Sequence, residues 1–301
     1  MRPPKISVVV PVLNGENHIR GCIASILSQD FPDFELIVVD NGSHDSTAGI
    51  IAEFRAKDPR VAALFEEERS RGKARRKGED AARGEIIVMT DADCRAADAG
   101  WLRKLVSPIL ESGCDAAQGS EAAMRANFWS KRIQGKAEEK RRSWKTLEAE
   151  DIRGSVDTKN FAIRNPSLRA AGGSSDKYAD GNDTELSIRL SQTSCRMAYV
   201  SEAAILHDDP DSFLSYAKKQ FLRGFWTSKI SRDHWNTLRK SGFLERTNQT
   251  PASFFRFFPG LFRTLMEKGP DALLFDFAEG APWRAGIVYE KCYLLFGRRK
   301  K

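Results

Sequence analysis

Residues 85–93 read EIIVMTDAD: a short apolar run, then a threonine and two aspartates one residue apart. A run of that length with no polar alternation predicts a strand covered on both faces, as in a parallel sheet. Carboxylates at the mouth of such a strand are costly unless water, a metal or a ligand satisfies them. Asp91 and Asp93, with Ala92 between them, offer oxygen ligands of the kind Mg2+ or Mn2+ uses when it holds a diphosphate. Such a triplet is common in loops. Its place directly after a buried strand gives it weight.

Working outward, the preceding residues repeat one pattern. Ile6–Leu13 reads as a strand, Glu16–Gln29 as a helix with Ile19, Ile23, Ile26 and Leu27 on one face, and Phe34–Asp40 (FELIVVD) as a second strand. Asp45–Lys57 follows as a helix behind a Ser/Asp-rich start, then Val61–Phe65 as a strand and Arg71–Arg83 as a helix. Strands separated by single helices predict an α/β domain, with helices on both faces of a parallel sheet. Ligands bind such sheets beyond the carboxyl ends of the strands. Asn14-Gly15, Asp40 and Asp91-Ala92-Asp93 all fall there.

The 301 residues are 41% apolar and 30% charged, which supports a full core and argues against overall disorder. The net charge of +7 suits phosphate-bearing ligands, an anionic membrane or nucleic acid without choosing among them. Five scattered cysteines without CxxC spacing argue against a disulfide framework or a zinc knuckle, and favour a reducing, cytoplasmic setting. Ile6–Leu13, broken by Pro11 and lacking a cleavage site, reads as a strand rather than a signal peptide. No apolar stretch approaches the roughly 20 residues of a membrane span.

Further along, Phe128–Leu147 reads as a long charged helix with a solvated face, Thr158–Arg164 as a strand, and Gly172–Gly181 as a loop. Asp183–Leu190 and Ser212–Ile230 read as helices, with the strand-like Met197–Leu206 between them. Nine of the 18 phenylalanines lie between Phe243 and Phe296. Phe254, Phe258, Leu261, Phe262, Leu265 and Met266 recur at helical spacing, Arg256 and Arg263 lie off that face, and the chain ends Arg298-Arg299-Lys300-Lys301. Packing over the domain is one reading. The clustering of aromatics with basic residues favours peripheral contact with an anionic membrane. The expected organisation is 1–235 as one domain, divided at about residue 120, with 236–301 as a helical extension.

In order along the chain, ISVVVPVLNGE, ELIVVDNGSHDST and DADC, then NFAIR and GNDTELSIRL, resemble the family 2 glycosyltransferases of the GT-A fold, over roughly residues 5–230. The resemblance implies a Rossmann-like, mostly parallel sheet and an inverting transfer from a metal-bound nucleoside diphosphate sugar, with uridine the expected base. The acceptor would be a glycan precursor or a lipid-linked hydroxyl. By that resemblance Pro11 and Asn14 shape the nucleotide wall, and Asp40 accepts a hydrogen bond from the base beside Gly42, Ser43 and Asp45. Asp91 meets the ribose, and Asp93 holds Mn2+ or Mg2+. Gly72, Lys73 and Arg75 lie in the segment that in the family reads Gly…Ala-Arg-Asn-x-Gly; Arg76 replaces the Asn and would add a cation near the phosphates.

The family's Glu-Asp pair becomes Asn182-Asp183, which keeps the carboxylate expected to act as base. A carboxylate on the acceptor side can take the hydroxyl proton as the diphosphate departs. The alternative is that Asp183 caps its helix. His207 stands where related enzymes can complete the metal shell. Gln220–Gly224 (QFLRG) resembles the QxxRW segment of processive synthases, with Gly224 in place of tryptophan; Lys219 and Arg223 remain candidates for the leaving diphosphate. Trp101 and Trp129 read as core or site wall, and His18, His44 and His234 as surface residues.

Two other classes compete. A sugar-phosphate nucleotidyltransferase would carry a glycine-rich basic loop where this chain has Pro11–Glu16. An inactive or nucleic-acid-binding relative would lack Asp93 or Asp183, or would interleave basic and stacking residues; residues 128–145 are basic with few aromatics. A nucleic-acid partner is therefore not expected.

Overall fold

The protein, seen in a computed structural model, is described over residues 4–141, 146–147, 156–240, 257, 259–261, 263–264, 266–267 and 270–296. Its contacts divide it into two compact units, 1–124 with 137–208, and 125–136 with 209–301.

The first unit holds the sheet. β1 (Ile6–Val12), β2 (Phe34–Asp40), β3 (Val61–Phe65) and β4 (Ile86–Met89) are joined by α1 (Ile19–Leu27), α2 (Thr47–Lys57) and α3 (Arg71–Ala81). All seven residues of β1 and of β2 are buried, as expected for strands covered on both faces. β1 pairs in parallel with β2 on one side and β4 on the other, and β3 is parallel to β2. On α1, Ile19, Cys22, Ile23 and Ile26 form one buried face.

Beyond β4 come β5 (Cys94–Ala96), α4 (Trp101–Glu111), β6 (Ala116–Ala123), α5 (Phe128–Arg141) and β7 (Thr146–Leu147). β8 (Phe161–Arg164), α6 (Asn165–Ala170), α7 (Asn182–Leu190) and β9 (Met197–His207) follow. The strands run β3-β2-β1-β4-β8-β6-β9-β5, with β7 also on β9. The sheet is parallel through β1–β4 and again at β6–β9, while β8 and β5 enter antiparallel. The predicted helix to Leu147 is described only as far as Arg141, and Thr146–Leu147 pairs with β9 as strand.

Trp101 is core, 1% exposed, with its indole N–H donating to Asn160 Oδ1 at 2.9 Å. Cys22, Cys94, Cys114 and Cys195 are buried and unbridged.

In the second unit, α8 (Phe213–Asp233) and α10 (Pro270–Phe296) pack along one another, with α9 (Trp235–Lys240) after α8. A Cβ on Gly224 would lie 1.9 Å from the Trp283 carbonyl oxygen, and one on Gly286 would lie 2.0 Å from that of Phe221. Gly224, in the tryptophan position of the QxxRW pattern, thus lets two helix backbones approach. Trp129 joins an aromatic cluster with Tyr216 and Phe275, at ring separations of 5.5 and 6.0 Å. The contact boundary near Asp209 precedes the expected one at 235 because α8 packs on α10. Phe254, Arg256, Phe258, Phe262, Leu265 and the terminal basic run fall outside the described residues. No helix among the described residues is long and apolar enough to cross a membrane.

Candidate active site

Because β2, β1 and β4 are parallel neighbours, the loops leaving them emerge at one edge of the sheet. Pro11 is buried in β1, level with Val39. Just beyond, Asn14 adopts φ 51, a left-handed conformation that Asn tolerates. Its backbone N–H donates to Ser43 Oγ at 2.9 Å, and its Oδ1 accepts from the His44 N–H at 2.9 Å. Asp40 is 7% exposed and accepts from the Ser43 N–H at 3.0 Å; Gly42 makes the turn at φ 76. Asp45 accepts from the Thr47 hydroxyl and from the Glu16 and Thr47 N–H groups; against the opposing pull of burial, the hydroxyl first and then the N–H groups hold its carboxyl below its ordinary range. Asn14, Asp40, Gly42 and Ser43 therefore form one knit turn.

The next group sits on α3. Arg75, 1% exposed, donates to Asp91 Oδ1 at 2.8 Å, and its Nε has no protein partner. Gly72 has a steric role: a Cβ there would lie 2.1 Å from the Ser175 carbonyl oxygen and 2.8 Å from Asn182 Oδ1. α3 can meet the 175–182 loop only with glycine at that point. Lys73 pairs with Glu68. The Arg76 guanidinium pairs with Asp80 at 3.2 Å and donates to the Gly172 carbonyl.

Arg71, at the start of α3, lies 3.6 Å from Asp180. Its guanidinium is held above its ordinary range by Asp91 first, then Asp180, Asp93 and Asp183, against the pull of burial. One cation thus stands within electrostatic reach of both aspartates of the DxD triplet and of Asp183. The helix of Asp183 starts at Asn182 behind its N-cap Gly181, whose φ of 77 makes the turn; Asp183 lies in the first turn of α7, where its Oδ1 accepts from the Thr184 N–H at 2.7 Å. It is therefore not the N-cap.

The last group is assembled by the antiparallel pairing of β5 with β9, in which Cys94 stands opposite His207. Residues directly opposed across strands share a face. His207 Nε2 lies 3.6 Å from Asp93 Oδ2, and its Nδ1 lies 3.0 Å from Glu121 Oε1. Asp93 is 43% exposed, while Glu121 and His207 are nearly enclosed. Burial alone would raise the Glu121 carboxyl, but the Lys159 ammonium and His207 hold it far below the usual carboxylate range. Burial keeps the Cys94 thiol well above its ordinary value. A carboxylate oxygen and an imidazole nitrogen side by side, with phosphate oxygens to fill the remaining positions, are a donor set that fits Mn2+ or Mg2+.

Lys219 and Arg223 lie on α8 in the second unit. His18 is 3.6 Å from Asp208, and His44 contacts Arg69, so both have partners unforeseen in the sequence. Arg71, Glu121, Lys159 and Asp180 were also missed. Glu121 and Lys159 had one signal: charges placed at the end of β6 and just before β8.

Residues 7–164 match the family described as Glycosyl transferase family 2. Glycosyltransferase AglE of Haloferax volcanii is 27% identical over 227 residues, covering 73% of this chain and 72% of that protein. EpsH of Bacillus subtilis is 38% identical over 93 residues, 31% of this chain and 27% of that protein. For GlyA and GlyG of Streptococcus pneumoniae the matched stretch likewise spans under a third of the relative's length. Among solved structures, the mannosyltransferase PcManGT from Pyrobaculum calidifontis, in complex with GDP-Man and Mn2+, superposes with a TM-score of 0.65 at 15% identity, covering 97% of this chain and 88% of that one. TarS 1-349 of S. aureus, in complex with UDP-GlcNAc, gives 0.57 at 16% identity, covering 97% and 92%. These two likenesses concern the fold, and the family match covers more than half of the chain: the protein belongs to glycosyl transferase family 2 and has the GT-A fold.

Proposed function

We propose that the chain is a metal-dependent, inverting glycosyltransferase, moving a sugar from a nucleoside diphosphate, with uridine as the expected base, to an acceptor hydroxyl. The observation that carries this reading is the approach of His207 Nε2 to Asp93 Oδ2 at 3.6 Å, at the strand-end edge where Asp91, Asp40 and Asn14 also emerge. In the proposal Asp93 and His207 hold Mn2+ or Mg2+, which neutralises charge on the departing diphosphate. Asp40 accepts from the base, the Asn14–Ser43 turn forms the nucleotide wall, and Asp91, aligned by Arg75, faces the ribose. Asp183 takes the proton from the acceptor oxygen as that oxygen attacks the anomeric carbon from the side opposite the diphosphate. Its place in the first turn of a helix sets the carboxylate at the positive end of the helix dipole.

The relatives support a nucleotide-sugar donor, since neighbours of the same fold carry GDP-Man and UDP-GlcNAc. A lipid-linked acceptor has support in a Campylobacter jejuni relative, 35% identical over 92 residues that cover 30% of each chain, named as a GalNAc(5)-diNAcBac-PP-undecaprenol beta-1,3-glucosyltransferase. We propose an acceptor of that kind, lipid-linked or a glycan precursor, with residues 1–235 as the transfer domain and 236–301 resting on an anionic membrane. Thermal shift with UDP and GDP tests the donor reading: stabilisation that needs both nucleotide and Mn2+ supports it, and no response to any nucleoside diphosphate counts against it. Flotation of a chain truncated at 243 with anionic liposomes tests the membrane reading; unchanged binding removes it.

A further inference from the structure

The residues behind His207 are built more tightly than a simple metal ligand requires. Glu121, at 5% side-chain exposure, places Oε1 3.0 Å from His207 Nδ1. Lys159 reaches the same carboxylate at 3.0 Å and Asp157 at 3.4 Å. The arrangement is anchored on two strands, because β6 pairs with β9 in a register that sets Glu121 opposite Ile205 and Ala123 opposite His207. A carboxylate against Nδ1 requires a proton on that nitrogen, so in the neutral ring that a metal ligand must be, the lone pair is on Nε2. That lone pair lies on the side of Asp93 Oδ2. Two donors sharing one cation at right angles stand about 3 Å apart at ordinary metal–oxygen distances, close to the 3.6 Å found here.

We propose that Glu121 is a positioning residue for the metal centre: it fixes the tautomer and orientation of His207 so that Nε2 faces Asp93, and Lys159 balances its charge inside the protein. This rests on the reading of Asp93 and His207 as metal ligands. Partners of this type orient a ligand imidazole and raise its basicity. Lys159 explains how a carboxylate can be kept there, since an unbalanced buried charge would be costly.

The test is the affinity for Mn2+ alone, read from the electron paramagnetic resonance signal of the unbound ion. Glu121→Gln is expected to weaken Mn2+ binding roughly 10–100-fold. That variant leaves Lys159 with Asp157 alone and can fail to fold, so the pair Glu121→Gln with Lys159→Met is measured beside it, removing the ammonium together with the Glu121 charge that balances it. The proposal expects the double variant to keep the cooperative unfolding of the wild type and still bind Mn2+ 10–100-fold more weakly. Wild-type affinity in the folded double variant would overturn it, leaving Glu121 only as Lys159's counter-charge. In a His207→Ala background the double change should weaken binding no further; a second loss of similar size would mean that Glu121 binds the ion itself, which also overturns the proposal. If the wild type takes up no Mn2+, the metal reading itself falls and this inference with it.

Discussion

His207 and Asp93 meet because β9 and β5 pair antiparallel, which sets Cys94 opposite the histidine and brings Nε2 within 3.6 Å of Oδ2. The two residues are 114 positions apart in sequence, and the strand pairing joins them. Asp93 is 43% exposed, whereas the Asp91 side chain is 18% exposed and carries the ion pair to buried Arg75.

From that difference the two aspartates should separate on stability. Asp91→Ala leaves the Arg75 guanidinium buried without a counter-charge and should cost ~3–5 kcal/mol in chemical unfolding. Asp93→Ala should cost under about 1 kcal/mol, as removal of a half-exposed polar group does. Equal costs would mean that the Arg75–Asp91 pair is not the fixed element described here.

Asp183→Asn should preserve binding of a nucleoside diphosphate with Mn2+ and lower transfer roughly 10²–10⁴-fold, the range for loss of a general base. Isothermal titration and a transfer assay on the same preparation separate the two effects. Undiminished transfer would leave Asp183 a structural role at the start of its helix and no part as base.

Gly224→Val should destabilise the second unit by about 3 kcal/mol, the upper range for overpacking, because its first side-chain carbon alone would lie 1.9 Å from a backbone oxygen of α10. Limited proteolysis followed by mass spectrometry would place the loss, with cleavage rising in 209–296 and not in 1–124.

The pH dependence of stability should carry the signature of Glu35. Burial opposes its ionised form, but hydrogen bonds from Arg83 and Ser7 prevail and hold its carboxyl below the ordinary value. A carboxylate with a depressed folded value contributes stability that is complete above the unfolded value of about 4.3. That contribution is lost as pH falls through the folded value. Glu35→Gln should therefore be less stable than the wild type by ~1–2 kcal/mol at pH 7, with the gap closing below about pH 4. A gap constant down to pH 2 would assign the loss to packing.

β1 through β4 were legible because each is a run of β-branched and aliphatic residues with no competing period. β6 was not: AAQGSEAA is small and polar, and becomes strand only because β8 and β9 flank it. The same limit governs the site. Asp91, Asp93 and Asp40 announce themselves as acids ending apolar runs, a local signal. Arg71, Asp180, Glu121 and Lys159 are ordinary charged residues in sequence, and matter through neighbours that folding supplies from 20 to 112 positions away.

The most direct measurement is nucleoside diphosphate release from a panel of nucleotide sugars with Mn2+, comparing the wild type with Asp93→Ala. The account predicts that at least one donor is turned over by the wild type and that release by the variant falls to the background of buffer alone. Equal release by the two proteins would contradict the assignment of Asp93, and with it the proposed chemistry of the site.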